Sequence, residues 1–538
     1  MPTLNWIGKD AVIRHHNEVP FRLLEPDETL SCGEADGNLI VQGDNLHALK
    51  ALLPKYAGRV KCIYIDPPYN TGNEGWIYND KVNSPEINKW LGQVVGKEAE
   101  DLSRHDKWLC MMYPRLVLLK QFLRDDGAIF VSIDDNEVAS LRYVMDEVFG
   151  ARNFIADVIW EKADSPKMDS QLFSTRHDHT ICHAKNINVL SVNRLKYSEE
   201  NIPKHYDKKN KDGRLYYLKP LRAMGGQGET REARPKLFYA LTAPDGTEVF
   251  PKLPNGNGGA WRWSPKKVAQ ESDRIEWIQS KKGWSPYFRI YADTSDGLPP
   301  ETIFYNSQTG GSRQAQKEIS EILPEVKFAT PKPTRLIQRI LQIASDKNSI
   351  ILDSFAGSGT TGHAVLKQNA EDGGNRKFIL VEMDEKIASE ITAERVRRVA
   401  GGYTDAKGKD VPGLGSGFQF CRLSAEPLFS EFGDIRDDVT FAQLADFVWF
   451  AETGVGYAGA SDSPMLGIHE GRAVYLLFNG ILGDRKPQGG NILTRAVLDS
   501  LEKHAGPKVI YAAATRLGSA ALAREQIVFK QTPYAIEV

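Results

Sequence analysis

The sequence predicts an α/β protein with a doubly wound, mainly parallel sheet, an inserted region and a C-terminal α/β domain. Three observations support this fold class. Short apolar runs alternate with helix-like patterns on both sides of the chain's middle, as in βαβ units. Between about 190 and 300 the pattern changes to short runs broken by Gly and Pro. The 538 residues also exceed the roughly 250–300 at which a single core stops growing.

The predicted strands are buried apolar runs bounded by polar residues or Gly. They are Leu39 to Val41, Val60 to Ile65, Ala128 to Ile133, Phe154 to Trp160, Ile350 to Leu352 and Phe378 to Val381. Helix-like periodicity follows or precedes them at Leu46 to Leu53, Trp108 to Leu123, Glu137 to Phe149 and Glu385 to Val399. This alternation favours parallel strands, but it does not reveal the order of the strands in the sheet.

Region 191–299 is the predicted insertion, and its basic residues outnumber its acidic ones. Aromatic residues are interleaved with the basic ones, as expected of a surface that contacts phosphates and bases. A solvated insertion with its own small core is an equally open interpretation. The basic residues are Lys204, Lys208, Lys209, Lys211, Arg214, Lys219, Arg222, Arg231, Arg234 and Lys236, and the aromatic ones are Tyr206, Tyr216, Tyr217, Trp261, Trp263, Trp284 and Tyr287.

The C-terminal part begins after a segment rich in Gly, Asp and Lys, from which we predict a linker at 406–417. Residues 418–538 then form the predicted C-terminal domain. Its elements are strand-like Ala473 to Phe478 and Lys508 to Tyr511 and helix-like Phe441 to Phe450 and Leu493 to Leu501. The discontinuous core would therefore comprise 24–190 and 300–405.

Composition excludes several classes of protein. A formal charge of -2 argues against a uniformly basic coat for nucleic acid, although it leaves local patches open. The five cysteines are scattered singly and fit a reduced, cytoplasmic compartment. No apolar stretch approaches the roughly 18–20 residues that a bilayer span requires, so we expect no membrane association.

Three histidines and an aspartate cluster at His177, Asp178, His179 and His183. Such residues can ligate a metal ion. Alternation along a strand-like run is expected to scatter them over both faces of the sheet. We therefore predict a structural role for them and no metal site.

Asp66-Pro67-Pro68-Tyr69 directly follows the predicted strand Val60 to Ile65. Open α/β sheets bind their ligands at the carboxyl ends of strands. The Asp66 carboxylate and the Pro68 carbonyl can each accept a hydrogen bond from an exocyclic amine, which favours the pyramidal nitrogen that forms during attack on a methyl donor. Tyr69 can stack on the nucleic-acid base that carries this amine, and such stacking typically contributes about 1–3 kcal/mol to binding. A base held in this way has to leave the duplex.

A Gly-rich turn, Asp353 to Thr361, follows the predicted strand Ile350 to Leu352. The Lys of a triphosphate-binding loop is missing, which disfavours an NTPase. Such a turn lets the backbone approach an extended ligand, and Glu382, at the end of the next strand, can bind ribose hydroxyls. Geometry alone does not separate NAD from S-adenosylmethionine, and Glu382 could instead cap a helix.

The order of the two motifs carries a resemblance to a known family. With the tetrapeptide upstream of the Gly-rich turn, the chain resembles the β-class amino-methyltransferases of DNA. Three further segments, Gly43 to Asn45, Asp66 to Asn73 and Phe328 to Thr334, are similar to those of the modification (Mod) subunits of type III restriction systems. The resemblance covers about 24–190 and 300–400.

The resemblance implies a fold of the S-adenosylmethionine-dependent methyltransferase type, with this cofactor as methyl donor and N6 of adenine in DNA as acceptor. Asp rather than Ser at position 66 favours adenine over N4 of cytosine, which stays the alternative acceptor. Asp66, Pro67, Pro68 and Tyr69 would be catalytic. The residues that would hold the cofactor are Asp44, Thr330, Lys332, Asp353, Phe355, Ala356, Gly357, Ser358, Gly359 and Glu382.

The family also implies partners. Region 191–299 occupies the place of a target-recognition domain for double-stranded DNA, and the implied assembly is a homodimer with a helicase–nuclease restriction subunit or other defence-system proteins. Two alternatives remain from the residues themselves. The chain could be a DNA-binding specificity subunit whose methylation depends on a partner or is vestigial, and Trp261-Arg262-Trp263 could be a hydrophobic anchor instead of a DNA contact.

Overall fold

The computed structural model describes residues 3–71, 104–195, 202–226, 228–281, 283–292, 297–430, 432–479, 481–482 and 490–533. The chain divides into two compact units. The first combines Met1–Asn193 with Glu301–Val538, and the second is Arg194–Pro300.

The strands are numbered along the chain. They are β1 (Arg22–Pro26), β2 (Leu39–Gln42), β3 (Val60–Ile65), β4 (Leu123–Ile133), β5 (Phe154–Glu161), β6 (His177–Ala184), β7 (Lys208–Lys209), β8 (Leu215–Pro220), β9 (Leu241–Thr242), β10 (Glu248–Val249), β11 (Ile275–Ser280), β12 (Gly283–Tyr291), β13 (Ile303–Phe304), β14 (Ile350–Asp353), β15 (Lys377–Glu382), β16 (Gly402–Thr404), β17 (Asp410–Pro412), β18 (Gln419–Pro427), β19 (Met465–His469), β20 (Arg472–Leu476), β21 (Ile492–Leu493), β22 (Lys508–Ala512), β23 (Ala514–Thr515) and β24 (Ile527–Gln531).

The helices are numbered in the same way. They are α1 (Lys9–Val12), α2 (His15–Glu18), α3 (Asn45–Tyr56), α4 (Arg104–Phe122), α5 (Val138–Met145), α6 (Pro265–Gln270), α7 (Asn306–Thr309), α8 (Ser312–Ile322), α9 (Thr334–Ala344), α10 (Thr360–Asp372), α11 (Glu394–Gly401), α12 (Phe441–Thr453), α13 (Arg495–Ser500) and α14 (Ser519–Arg524). Two π-helical segments, Asp146–Gly150 and Ile387–Ala393, are continuous with α5 and α11. None of the helices in these ranges is long and apolar enough to cross a membrane.

A ten-stranded sheet organises the first unit, in the order β1-β18-β2-β15-β14-β3-β4-β6-β5-β13. The six strands from β18 to β4 are parallel neighbours, whereas β6 is antiparallel to both β4 and β5, and β1 is antiparallel to β18. All six residues of β3 are buried, as expected of a parallel strand covered by helices on both faces. The predicted α/β class with a mainly parallel sheet is confirmed.

Strands β3 and β14 are paired, and this pairing places the two sequence motifs next to each other. Leu352 pairs with Ile63, so the residues that follow the two strands, Asp66 and the turn after Asp353, emerge at the same edge of the sheet. From β14 the chain crosses over to β15 on one side, and from β3 it crosses over to β4 on the other. Such a reversal of strand order opens a crevice at the carboxyl ends of the strands.

The structure differs from the predicted boundary at 418. Strand β18 pairs in parallel with β2 and antiparallel with β1, so the first residues of the predicted C-terminal domain belong to the main sheet. The predicted linker 406–417 contains half of a hairpin, because β16 pairs with β17. This hairpin is local, and Gly402 at its start has a φ of 96°, so here the Gly-rich composition serves a turn and a strand pair. After β18, strands β19, β20, β22 and β24 form a separate four-stranded sheet.

The unit Arg194–Pro300 has a sheet of its own, in the order β11-β12-β8-β7. Trp261 is 2% exposed and donates from Nε1 to the Tyr239 carbonyl at 2.8 Å, and the ring of Trp263 packs at 4.7 Å from that of Phe288. These two tryptophans therefore anchor a small hydrophobic core. In contrast, the basic side chains of Lys208, Lys209, Lys211, Arg231, Arg234 and Lys236 are exposed.

Candidate active site

Asp66 is the first residue after β3 and carries a carboxylate whose two oxygens differ. Oδ2 accepts a hydrogen bond from Lys332 Nζ at 2.5 Å. Oδ1 is buried and has no hydrogen-bond partner of normal geometry among the described residues. The Tyr69 hydroxyl lies near enough to interact with this carboxylate electrostatically. A buried acceptor without a partner is costly, so Oδ1 is available to a donor that enters from outside.

The Pro68 carbonyl already has a partner. It accepts a hydrogen bond from the indole Nε1 of Trp108, a fully buried residue of α4, at 2.7 Å. This bond holds the turn against α4. A carbonyl oxygen has two lone pairs, so the predicted hydrogen bond from the amine of a base to Pro68 stays a prediction. Pro67 lies in the same turn and lines the same cavity.

Tyr69 faces a cation. Lys332 Nζ lies 4.9 Å from the centroid of the Tyr69 ring, so one ammonium group contacts both the ring and the Asp66 carboxylate. Burial, together with the charge of Asp66, raises the pKa of the Tyr69 hydroxyl well above its usual value. Tyr69 is therefore neutral over the physiological range and offers an aromatic surface and not a base.

Sequence reasoning missed the residues that hold this turn in place. Asn70 is fully buried at a φ of 59°, a left-handed conformation that Asn tolerates better than most residues. Its Nδ2 donates to Oε1 of Glu137, a buried carboxylate that also lies 2.6 Å from His105 Nδ1. Only the position of Asn70 directly after the tetrapeptide hinted at this role. Gly72 and Asn73 lie outside the described residues.

Asp353 organises the Gly-rich turn from the end of β14. Its Oδ1 accepts from the backbone N–H of Phe355 at 3.0 Å and its Oδ2 from the Thr361 hydroxyl at 2.5 Å. Burial raises the pKa of this carboxyl to about 7, and the two hydrogen bonds oppose that shift. Its position inside the turn makes Asp353 a structural element of the loop.

Glycine is required at two positions of the turn. Gly357 has a φ of 49° and Gly359 a φ of 75°, in the left-handed region. A Cβ on Gly359 would lie 3.0 Å from the backbone oxygen of Thr392, so a larger residue would also collide there. Residues Phe355, Ala356, Gly357 and Ser358 line the cavity described below, whereas Gly359 shapes the turn without lining it.

Glu382 ends β15 and is 1% exposed. Its Oε2 accepts from the Gly357 N–H at 2.8 Å and its Oε1 from the Asp384 N–H at 3.0 Å. Each carboxylate oxygen can accept more than one hydrogen bond. Glu382 therefore braces the Gly-rich turn and caps the following residues while keeping acceptor capacity for a ligand.

Asp44 lies in a helix cap. Its Oδ1 accepts from the N–H groups of Leu46 and His47 at 3.0 and 3.2 Å, and its Oδ2 lies 3.5 Å from Arg115. Neither Asp44 nor Glu382 is among the residues that line the cavity, so both predicted cofactor contacts stay predictions. The neighbour of Asp44, Asn45, donates a hydrogen bond to the Ser354 carbonyl and so supports the Gly-rich turn.

The segment from Phe328 to Thr334 lies between the tetrapeptide Asp66 to Tyr69 and the Gly-rich turn. Thr330 is exposed at the cavity wall, as expected of a ligand contact, whereas the Lys332 ammonium lies at Asp66 and not among the residues of the Gly-rich turn. The segment is tied to that turn because the Thr360 hydroxyl donates to the Lys332 carbonyl at 3.2 Å.

Arg395 is a second group that sequence reasoning missed. It is buried beneath the turn and donates to the hydroxyls of Ser358, Thr360 and Thr334 at 3.1, 2.9 and 3.2 Å. Burial lowers the pKa of this guanidinium to about 10, so it stays charged at neutral pH. A buried cation on a regular helical pattern gave no sequence signal of its own.

One cavity of about 450 Å³ is lined by both the tetrapeptide and the Gly-rich turn. This volume is typical of small-ligand sites. Its wall combines the tetrapeptide, the Phe328 to Lys332 segment and the Gly-rich turn with Asp134, Trp160, Lys162 and Asp178. The two motifs lie nearly 300 residues apart in the chain and share this cavity because β3 and β14 are neighbours. The arrangement can hold a flat base and an extended cofactor side by side.

The four residues of the histidine cluster separate. Asp178 lines the cavity and pairs with Lys162 at 2.6 Å, whereas His183 is buried against Asp146 at 2.8 Å. His177 and His179 lie together with Asp135. All three histidines are odd-numbered and share one face of β6, because the side-chain period of a strand is two. Alternation therefore separates only Asp178 from them, and His183 is separated from His177 and His179 by its distance along the strand.

Comparison with known proteins agrees with this arrangement. A family model described as DNA methylase matches residues 60–394, more than half of the chain. The type III restriction-modification enzyme StyLTI Mod subunit of Salmonella typhimurium is 34% identical over 430 residues, which cover 74% of this chain and 62% of that protein. The EcoPI Mod subunit of Escherichia phage P1 is 33% identical, over 72% of this chain and 64% of that protein.

A shorter relative is covered almost entirely. The type II methyltransferase M.KpnI of Klebsiella pneumoniae is 30% identical, over 71% of this chain and 93% of that protein. By contrast, the chain spans less than two thirds of the length of the two Mod subunits. The resemblance inferred from the order of the motifs is confirmed at this level: the chain belongs to the DNA methylase family.

Proposed function

We propose that this protein is a site-specific DNA methyltransferase that transfers a methyl group from S-adenosylmethionine to N6 of an adenine flipped out of double-stranded DNA. The observation that carries the proposal is the shared cavity, in which the buried, unpartnered Oδ1 of Asp66 lies in the same wall as the Gly-rich turn. A hydrogen-bond acceptor and a cofactor-sized space are what methylation of an exocyclic amine requires.

Asp66 would bind and activate the amine. Oδ1 accepts one N6–H bond, while Lys332 keeps the other oxygen in place and so fixes the orientation of the carboxylate. The second acceptor is the Pro68 carbonyl, which lines the cavity and keeps one lone pair beside the one that Trp108 uses. Two acceptors favour a nitrogen whose lone pair is localised, and placing them in a site that excludes water strengthens both bonds.

S-adenosylmethionine supplies an electrophilic methyl group on a sulfonium. When bound, it would donate this methyl group to N6, and Asp66 would take up the proton that N6 loses. The residues present fit this ligand, because the positive φ of Gly357 and Gly359 opens the turn and Glu382 offers buried carboxylate oxygens beside it. Thr330 and the Phe355 to Ser358 turn would line the cofactor half.

Lys332→Met is expected to lower the maximal methylation rate by about 10–100-fold, because a misdirected Asp66 carboxylate loses the aligned geometry that the reaction needs. Cofactor affinity, measured by calorimetry, should change little, since the ammonium contacts Asp66 and Tyr69. The matched control is Lys327→Met, at an exposed residue directly before that segment. A variant that loses cofactor affinity but keeps the wild-type rate at saturation would return Lys332 to the cofactor role.

Tyr69→Ala is expected to lower kcat/KM by about 5–150-fold, which corresponds to the typical 1–3 kcal/mol of base stacking. Tyr69→Phe keeps the ring and should stay near the wild-type value. A duplex with 2-aminopurine at the target position reports base flipping by its fluorescence, which should rise with wild type and Tyr69→Phe only. Equal rates and equal fluorescence for Tyr69→Ala would exclude stacking as the role of this ring.

The partners follow from the same proposal. The exposed basic side chains of the Arg194–Pro300 unit would contact the DNA backbone, and that unit would recognise the target sequence. By analogy with the Mod subunits, the protein would act in restriction-modification as a homodimer, with a helicase–nuclease subunit as partner. Free thiols at all five cysteines suit a reduced, cytoplasmic setting.

The test is direct methylation. Purified protein is incubated with labelled S-adenosylmethionine and bacterial DNA that lacks the modification, and the digested nucleosides are separated. N6-methyladenine from wild type, and none from Asp66→Ala, would support the proposal, and long-read sequencing would then give the target site. N4-methylcytosine would replace the acceptor in the proposal. No product in spite of measurable cofactor binding would contradict an autonomous enzyme.

A further inference from the structure

Two histidines and an aspartate lie together outside the cavity, where β4 and β6 run side by side. In the antiparallel register of these strands Ile133 pairs with His179, and continuing it by two residues brings Asp135 opposite His177. Asp178, between the two histidines, lines the cavity. Because side chains alternate along a strand, His177 and His179 project from the other face.

The possible ligand atoms of these three residues converge. His179 Nε2 lies 3.3 Å and His177 Nε2 lies 4.0 Å from Asp135 Oδ1. The three ligand atoms all lie within 4.8 Å of one another. Around a tetrahedral Zn²⁺ with bonds of about 2.0–2.1 Å, ligand atoms are roughly 3.4 Å apart. Small side-chain rotations would therefore close the group on an ion.

A fourth residue, Asp157, makes a contact that is typical of the surroundings of a metal ion. Asp157 of β5 bonds to His179 Nδ1, with distances of 3.1 and 3.0 Å to its two oxygens. This bond places the proton on Nδ1 and leaves the Nε2 lone pair directed at Asp135 and His177. A carboxylate behind an imidazole is the usual arrangement in metal sites, where it fixes the tautomer and orients the ring.

We propose that Asp135, His177 and His179 bind a divalent transition-metal ion of the Zn²⁺ type, with Asp157 as the positioning residue for His179. Two imidazoles and one carboxylate match the ligand preference of Zn²⁺ and leave a fourth position for water. The Asp135 side chain is 60% exposed and that of His177 is 39% exposed, so solvent and an ion reach the group.

Bound metal would join the end of β4 to the start of β6. These strands also carry Asp134 and Asp178, which line the cavity proposed to hold the base. The metal would thus be structural and would stiffen the wall of the base pocket from outside. It takes no part in methyl transfer, because its ligands belong to the other face of the sheet.

The alternative to a bound metal ion is a proton on His179. The hydrogen bond that Asp157 accepts from His179, together with the charge of Asp135, raises the pKa of His179, so an imidazolium held between two carboxylates would satisfy the same groups. The two interpretations differ in one respect. A protonated cluster has no affinity for zinc beyond that of scattered surface residues, whereas a metal site binds one ion with defined stoichiometry.

The experiment uses tag-free, metal-depleted full-length protein dialysed against Zn²⁺ at pH 7.5, with bound metal measured by mass spectrometry. We expect one ion per chain in wild type and a higher melting temperature when zinc is added. His177→Gln and His179→Gln should each weaken binding at least 100-fold, and Asp157→Asn by about 10–100-fold. His504→Gln, a histidine of the C-terminal part, serves as control and should bind as wild type does.

Asp135→Asn tests the site with little risk of unfolding the protein, because this side chain is largely exposed and its replacement leaves the strands intact. This variant should also lose the ion while keeping the metal-free melting temperature. Zinc binding that is equal in wild type and in the His177→Gln/His179→Gln double variant would overturn the proposal and assign the bound metal to cysteines or other sites.

Discussion

Replacing Asp66 by alanine is expected to slow methyl transfer by about 10³-fold at saturating cofactor and DNA. Removing one directed hydrogen-bond partner of a developing charge typically costs 10²–10³ in rate. Here the same change also removes the partner of Lys332, whose side chain is only 9% exposed in the structure and would lose its counter-charge beside the base site. The rate of a single turnover, measured with enzyme in excess, isolates this step from product release.

Two further variants sharpen this result. Asp66→Asn keeps a carbonyl oxygen in nearly the same place, so it should retain more activity than Asp66→Ala if the role of Oδ1 is to accept a hydrogen bond. Asp437→Ala, at an exposed aspartate of the C-terminal part, should behave as wild type. S-adenosylmethionine affinity should stay within about threefold in all three, because the Gly-rich turn is untouched. A wild-type rate in Asp66→Ala would remove this residue from the reaction.

Glu382→Ala is expected to weaken S-adenosylmethionine binding by about 100-fold or more. The change removes the acceptor for two backbone N–H groups, those of Gly357 and Asp384, and leaves both without it. Without this acceptor the Gly-rich turn is expected to relax away from its ligand-binding conformation, since each unsatisfied buried donor costs about 1–3 kcal/mol. Restoring that conformation on binding lowers the affinity tenfold for each 1.4 kcal/mol or so that it costs. The loss of the acceptor proposed for the ribose hydroxyls adds to this effect.

Calorimetric titration with S-adenosylmethionine measures the change. Glu382→Gln should lie between wild type and alanine, because its amide oxygen can accept from only one side while its NH₂ group faces the other donor. Glu385→Ala removes a surface partner of Arg422 and is the matched control, with an expected change within threefold. If Glu382→Ala binds the cofactor as wild type does, Glu382 serves only to cap the residues that follow it.

Local patterns were sufficient for the central parallel strands of the main sheet and for the longer helices beside them. The runs Val60 to Ile65 and Phe378 to Val381 fall within β3 and β15 as the structure has them. Buried parallel strands are recognisable because both faces are covered and the sequence becomes continuously apolar. The strand β18 was missed because its pattern is mixed and its partner β2 lies almost 400 residues away.

The candidate site shows the same division. The tetrapeptide and the Gly-rich turn carry special backbone requirements, and these are visible in the residues themselves. The partners of Lys332 and Pro68 were not predicted, since each comes from a distant element, Asp66 for one and Trp108 for the other. Arg395 and Glu137 gave no signal because a buried charge is defined only by the groups packed around it.

The sequence by itself determined the α/β class, the two motifs at the ends of their strands and the family to which the chain belongs. Only the tertiary structure decided that β3 and β14 are neighbours, that the Lys332 ammonium lies on Asp66, and that His177 and His179 meet Asp135. The physical reason is one of range. Periodicity and turn chemistry act between residues a few positions apart, whereas strand order and side-chain partners are set by hydrogen bonds and packing between segments hundreds of residues apart.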